Sequence, residues 1–423
     1  MRRVILFFII LITFSFIVFA QDNGLDFGFN LGLGTIVYNN NTYQTLSLKP
    51  DLAFGKFGIG LDIFIMFDQN FNIVPDNWDS FADWMNKILY IRYGLKGEPL
   101  YAQIGMFKNV TLGHGLIMYS YTNMLYYPEI RKLGFELDLD GALFNFPYLG
   151  LESFIDNLLD PDILAFRIYA RPLLFLDIPI ISAMKIGFSY AVDTDPMETK
   201  ADDMNLLDNA NSTSSIGIVG IDVEFPLLQK DLAFITLYGD WASISGKGSG
   251  AEIGLNSYLL KLFYIGLAID MFGDNFSGQY FDILYENYEV RNNKYSYLDS
   301  VAAYTGWRAF ASLLIGQEIF SLYFEMKGDF SPNPVTLIGI LKLDKSVLKI
   351  VSVSGMFIRS GITAFSDLFN WQGESLLNSY LMLNVTLNVG DTSSITLVYQ
   401  VTWDEQGNPI ASTQLQTGLS FNF

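Results

Sequence analysis

The sequence predicts an all-β chain closed into a transmembrane antiparallel up-and-down β-barrel of about 18 strands (range roughly 16 to 20). Three observations carry that prediction: strand-length runs in which greasy and polar residues alternate one for one, an aromatic carboxy-terminus, and short turns alternating with long connections.

The chain opens MRRVILFFIILITFSFIVFAQ, with Arg2 and Arg3 ahead of an apolar run from Val4 to Phe19 and small Ala20 before Gln21. That layout predicts a signal peptide over 1–20, cleaved after Ala20, and a single barrel domain over 21–423. A retained anchor fits less well, since the run is short for a span and holds Thr13 and Ser15. Cysteine is absent, so disulfides, thiolate metal sites and a lipidated amino-terminus are excluded.

Hydrophobic residues make up 51% of the chain and aromatics 16%. After the leader, no stretch approaches the roughly 20 apolar residues that a membrane helix needs. Hydrocarbon admits only helices or closed barrels, because every backbone donor and acceptor must be paired internally. A barrel is what remains.

From Leu25, the residues Leu25, Phe27, Phe29, Leu31, Leu33, Thr35 and Val37 alternate with Asp26, Gly28, Asn30, Gly32 and Gly34. Phe57, Ile59, Leu61, Ile63, Ile65 and Phe67 repeat the pattern, as do Leu381 to Val389 and Ile395 to Trp403. A period of two puts the greasy set on one sheet face. That set carries no charge, and its partner set is Gly, Ser, Asn and Thr with occasional charge, which suits a wet lumen better than the Lys- and Glu-rich exterior of a soluble sandwich.

Turns at Gly55-Lys56, Lys96-Gly97-Glu98, Gly316-Gln317, Asp344-Lys345-Ser346 and Gly390-Asp391-Thr392 fall on one rim. The connections between them, 68–86, 192–214, 273–303 and 359–377, are mostly longer. Parity requires an even total: about eighteen strands if 108–162 is mostly loop, about twenty if 132–140 and 147–155 form a further hairpin. The chain ends TGLSFNF, with Thr413, Leu415, Thr417, Leu419, Phe421 and Phe423 on one phase. An aromatic terminus in water would fray, so an apolar surrounding is expected to hold it.

Leader, absence of cysteine, alternating strands and terminal Phe423 together resemble the outer-membrane β-barrel proteins of double-membraned bacteria, porin-like or channel-type, over essentially all of the mature chain. The resemblance implies an outer-membrane location, lipid around the barrel, and a last strand read by the barrel-assembly machinery, matched here at Leu415, Leu419, Phe421 and Phe423.

At this width, side chains cannot fill the interior, and only a few residues lie between the expected cleavage site and Leu25, leaving no room for a plug domain ahead of the barrel. The expected activity is passive or substrate-selective diffusion of small solutes. The formal net charge of −19 points to cation preference and away from nucleic acid, which needs clustered Lys and Arg. A hydrophobic-substrate transporter and a surface adhesin without transport are the alternatives. Phase assigns to the lumen Asp26, Asp62, Arg92, Glu136, Asp138, Asp140, Arg167, Arg171, Lys185, Arg308, Glu325 and Lys327. The carboxylates of GFELDLD (134–140) and the arginines of FRIYARP (166–172) would set a transverse field if opposed across the lumen. Paired along neighbouring strands, they would only stiffen the wall.

Loop 108–131 is long, aromatic and uncharged from Asn109 to Pro128, apart from His114. An apolar loop does not stand in water, so it is expected to fold inward and narrow the pore with His114, Tyr119, Tyr121, Tyr126 and Tyr127, unless Gly113 to Ser120 is another wall strand. His114, the one histidine, has Ser120 and Asn123 nearby in sequence but no nucleophile motif, so no enzymatic role and no cofactor are expected. The acidic loop 193–203 (Asp193, Asp195, Glu198, Asp202, Asp203) is read as a solvated surface, with calcium as the alternative.

Overall fold

Alternation of period two obliges the chain to place its two residue sets on opposite sheet faces, and the computed structural model realises this as one antiparallel sheet of 21 strands. It describes residues 25–422 except 39–40, 75–77, 79, 128–129, 177, 200–213, 317–318, 331–333, 371–375, 377–378, 390–392 and 404–406; the expected signal peptide and Phe423 lie outside the described residues. The first nine strands are β1 (Leu25–Tyr38), β2 (Asn41–Phe54), β3 (Phe57–Leu61), β4 (Ile63–Phe67), β5 (Ile88–Tyr93), β6 (Leu100–Gly105), β7 (Gly134–Asp140), β8 (Leu149–Ile155) and β9 (Ile163–Ala170). Six more follow: β10 (Lys185–Asp193), β11 (Ile216–Lys230), β12 (Ala233–Ile244), β13 (Ser249–Leu259), β14 (Phe263–Phe272) and β15 (Tyr304–Ile315). The last six are β16 (Phe320–Asp329), β17 (Val335–Leu343), β18 (Val351–Ile362), β19 (Tyr380–Val389), β20 (Ser393–Trp403) and β21 (Pro409–Asn422).

Strands adjacent in sequence pair as neighbours, and β21 returns to β1 with Phe29 opposite Phe421 and Gly32 opposite Gly418, which closes the barrel. Strands β3 and β4 both pair with β2 and are halves of one stave interrupted at Asp62. Counting them as one leaves twenty staves from the 21 strands. The total exceeds the central expectation of eighteen because 134–140 does pair with 149–155, Asp138 opposite Glu152.

The exposure pattern inverts that of a soluble protein. Ile221, Trp241, Ile253 and Ile269 are 43–53% exposed, while their strand neighbours Asp222, Asp240, Glu252 and Asp270 are at most 8% exposed. Greasy residues therefore cover the outside of a membrane-spanning barrel and charges point inward. A Lys or Arg on the lipid face at mid-membrane would cost about 2–4 kcal/mol, which accounts for the uncharged outer phase.

Cross-strand partners explain two lumen-side glycines. Gly254 sits opposite Tyr238 and Gly150 opposite Tyr169. A Cβ at either position would come within 2.3 Å or less of the facing ring, so each glycine lets an aromatic ring lie flat along the wall.

The described ends, Leu25 and Asn422, lie on one rim with the turn at 55–56 and the connection 344–350, although the connection between β9 and β10 on that rim is longer than expected. Among the described residues, three short α-helices sit in connections: α1 (Phe81–Met85), α2 (Tyr288–Ser296) and α3 (Lys345–Leu348). Helix α2 starts where Asn287 accepts hydrogen bonds from the N–H groups of Glu289 and Val290.

Candidate functional site

Two connections from the rim opposite the termini fold into the barrel. Because β6 and β7 pair directly, Gly105 opposite Gly134, segment 106–133 is left out of the wall ladder. Its apolar residues need cover, and Val110, Leu116, Ile117 and Met118 find it against Phe276, Tyr280 and Phe281 of segment 273–303 and against inward Ile218, Ala242 and Ile244 of β11 and β12. Main-chain bonds join the two segments: Tyr119 N–H to the Phe281 carbonyl (2.9 Å), Phe281 N–H to that of Ile117 (3.1 Å), and Gln279 N–H to that of Leu116 (2.7 Å). They form one internal body.

Charge fastens that body to the wall. His114 stacks on Tyr238 with ring centroids 4.3 Å apart, and its Nδ1 and Nε2 meet Asp240 Oδ1 at 2.9 Å and Glu224 Oε2 at 3.2 Å. Burial favours the neutral ring, but hydrogen bonds and charge from Asp240 and Glu224 outweigh it, and the imidazole pKa is pushed up to about 9. His114 at neutral pH is therefore an imidazolium held between two carboxylates. Below it, Arg167 donates to Asp222 through Nε (2.8 Å) and Nη2 (2.7 Å) and to Glu152 through Nη1 (2.7 Å). Arg308 donates to Glu252 at 2.6 Å and lies over the Tyr119 ring. Lys185 donates to Glu224 at 2.8 Å, Lys327 to Gln279 at 2.6 Å, and Glu325 accepts from Tyr323.

A second anchor lies towards the rim opposite the termini. Arg291 of α2 donates to both oxygens of Asp193 (2.9 Å each) and to Glu198, with Asp162 at 3.4 Å. Lys132 lies 2.8 Å from Glu286, and Tyr121 donates to the same carboxylate. Desolvation pushes the Asp162 carboxyl up to about 6 against the pull of Arg291 and Lys132. A third anchor joins Arg131 to Asp62 at 3.0 Å. Tyr127 also donates to Asp62, and Lys49 lies 3.5 Å away.

Several expectations are overturned here. The acidic and arginine groups do not oppose one another across the lumen: Arg171 bonds Asp140 at 2.6 Å two strands along the same wall, Arg167 is taken by Glu152 and Asp222, and Glu136 and Asp138 share Lys96. Charges brought close by the sheet pair locally instead of facing each other over a wide gap. Tyr121 is fully buried and cannot face a solute; it fills the inner body with Phe154. Asp193 and Glu198 are likewise buried, so that part of the acidic loop is not a solvated surface; Asp202 and Asp203 lie outside the described residues. Tyr119 and Tyr126 are half-buried, the latter stacked on Tyr288. Arg92 lies over Tyr90 and donates to the Gly94 carbonyl. Leu419 and Phe421 lie in β21 beside β1.

Among the described residues, one group has metal-ligand proximity, His114, Asp222 and Asp240, with ligand atoms within 4.8 Å of one another. Both imidazole nitrogens already meet carboxylates and Asp222 is held by Arg167, so the set is satisfied as an ion-pair network.

Two cavities border the inner body. One of about 550 Å³ opens near the terminal rim, with Lys96, Glu98, Asp138, Asp140, Glu152 and Arg171 on its wall. Another of about 180 Å³ lies between the body and β16–β18, with Ile283, Leu284 and Val290 facing Ile338, Ile340 and Ile358.

No protein-family model matches the chain, and no curated protein matches it significantly. Among solved structures, it is similar to Wzi, an outer membrane protein involved in group 1 capsule assembly in Escherichia coli and a carbohydrate-binding β-barrel, at 10% identity over 98% of this chain and 88% of that one, TM-score 0.33. It is also similar to the outer membrane protein OpdK of Pseudomonas aeruginosa, at 9% identity over 94% and 98% of the two chains, TM-score 0.36. OprD from the same organism gives 10% identity over 94% and 93%, TM-score 0.32. At this distance the likeness does not extend to function.

Proposed function

We propose that the protein is an outer-membrane channel of a double-membraned bacterium through which small solutes diffuse, with a modest preference for cations. The observation that supports it is a closed sheet of twenty staves whose interior is wider than side chains can fill and is only partly occupied by segments 106–133 and 273–303. The cation preference rests on the wall facing the inner body, where Asp222, Glu224, Asp240, Glu252 and Asp270 of β11–β14 outnumber Arg167, Lys185, Arg308 and the His114 imidazolium by one charge.

Purified protein in planar bilayers is expected to give stepwise ohmic conductance, with a reversal potential in a KCl gradient displaced towards that of potassium. Bilayers that stay closed at every voltage would refute the channel. A second reading, passage of hydrophobic solutes, is favoured by the apolar seam at Ile283, Leu284, Ile338 and Ile358. Closed bilayers with saturable quenching of intrinsic tryptophan fluorescence by an added alkyl ligand would favour it.

A further inference from the structure

The inner wall is divided in chemistry, and the division bears on what passes. Strands β19 and β20 contain no charged residue, and β18 contains only Arg359, near the rim opposite the termini. The outward phase of this arc is Leu383, Leu387, Ile395, Leu397 and Tyr399, all well exposed. On the terminal side the inward phase is therefore Ser352 and Ser354, Asn384, Thr386 and Asn388, then Ser394, Thr396 and Val398, while towards the other rim it turns apolar at Met356, Ile358, Tyr380 and Met382. These side chains form a ladder across three strands: Asn384 donates to Ser354 Oγ at 3.2 Å, Thr386 meets Thr396 at 2.9 Å, and Asn388 donates to Ser352 Oγ at 3.3 Å.

Exposure runs opposite to charge. Inward charges on β11–β16 such as Asp222, Glu252, Arg308 and Glu325 are at most 6% exposed, because the inner body lies over them. The ladder residues on β18–β20 are half-exposed. Water inside the barrel thus meets hydroxyls and amides along the ladder, while Asp222, Glu252 and Arg308 beneath the inner body are already paired.

We infer, on the basis of the channel reading above, that the pathway on the terminal side of the apolar seam runs along the Ser, Thr and Asn ladder of β18–β20 and suits neutral, hydroxyl-rich solutes of the sugar and polyol class. Hydroxyl and amide groups donate and accept, so a polyol exchanges its water hydrogen bonds step by step along the ladder at little net cost. An ion of either sign would surrender hydration there and find only uncharged dipoles in return.

Proteoliposome swelling compares three solutes on one six-carbon skeleton: glucose, glucosamine and gluconate. Glucose is expected to enter fastest, glucosamine next and gluconate slowest. The same vesicles carry Asn384→Asp and Thr396→Asp, each placing a carboxylate on the uncovered arc. Both are expected to move the reversal potential strongly towards potassium and to bring glucosamine entry level with glucose. Conductance with glucosamine or gluconate entering faster than glucose in the native protein would overturn the inference and leave the channel standing. An unmoved reversal potential in both Asp variants, with folding verified by heat-modifiable migration, would do the same. No conductance and no swelling would overturn the channel reading itself.

Discussion

Two arcs of the same barrel wall solve the same problem differently. On β9–β16 charged inward residues lie under the infolded connections: Arg167 and Arg308 meet carboxylates of the wall itself, and His114 of the infolded segment meets Asp240 and Glu224. On β18–β20 the inward Ser, Thr and Asn residues of the ladder are neutral and half-exposed. The contact of the inner body with this second arc is apolar, Ile283, Leu284 and Val290 against Ile338, Ile358 and Tyr380. The difference teaches that the infolded segments are positioned by charge on one side and only packed on the other. Charge pairs of fixed geometry specify one docking register, whereas apolar contacts tolerate sliding.

The comparison breaks most severely at Arg291. It is fully buried and holds Asp193, Glu198 and Asp162, so Arg291→Met would leave Asp193 without its cation and Glu198 and Asp162 with Lys132 alone. Removing one partner of a buried ion pair costs about 3–5 kcal/mol. Limited proteolysis should then cut within 273–303 far faster than in the native protein, with little change in strand content by circular dichroism. Unaltered resistance to protease would mean that charge does not position this segment.

Why the arcs were legible in unequal measure follows from the range of the interactions. Alternation is local, so phase, barrel class and the inward set could be read from runs such as Leu381 to Val389. The hairpin 134–155 was foreseen only as one of two counts, since Gly134 to Asp140 and Leu149 to Ile155 are short strands in a region that also reads as loop. The partners could not be read at all: His114 finds Asp240 across 126 positions and Arg291 finds Asp193 across 98. One signal was available and passed over. Phe276, Tyr280, Phe281 and Tyr285 give segment 273–303 the same aromatic content that nominated 108–131 for infolding.

A milder break of the charged side is pH. With His114 raised from 6.5 to about 9 by docking, the stabilisation it gives is fully present below about pH 6.5 and is lost as pH rises through about 9. The amount is about 3 kcal/mol. Hydrogen exchange in 106–133 should therefore accelerate between about pH 7 and pH 10 beyond the intrinsic base-catalysed rise. His114→Gln, which cannot take up the proton, should abolish that excess. An excess of equal size in the variant would exclude the histidine as its source.

On the packed side, Ile358→Val removes one methyl from a residue 2% exposed in the apolar seam. The expected loss is about 0.5–1.5 kcal/mol. It should appear as more frequent brief openings in single-channel records, because the seam is the one contact that can part without leaving a charge bare. Identical gating would place the moving boundary elsewhere.

The smallest effect belongs to the ladder itself. Thr386 and Thr396 face each other at 2.9 Å, half-exposed to the water of the lumen. Replacing both by Val deletes a hydrogen bond that water competes for, while the β-branched shape that fits a strand is kept, so stability should stay within about 0.5 kcal/mol of the native protein. Glucose entry should nevertheless fall, since two of the rungs that trade hydrogen bonds with a passing polyol are gone. A denaturation midpoint that drops as far as that of Arg291→Met would erase the distinction between the arcs, because it would make the neutral wall as structural as the charged one.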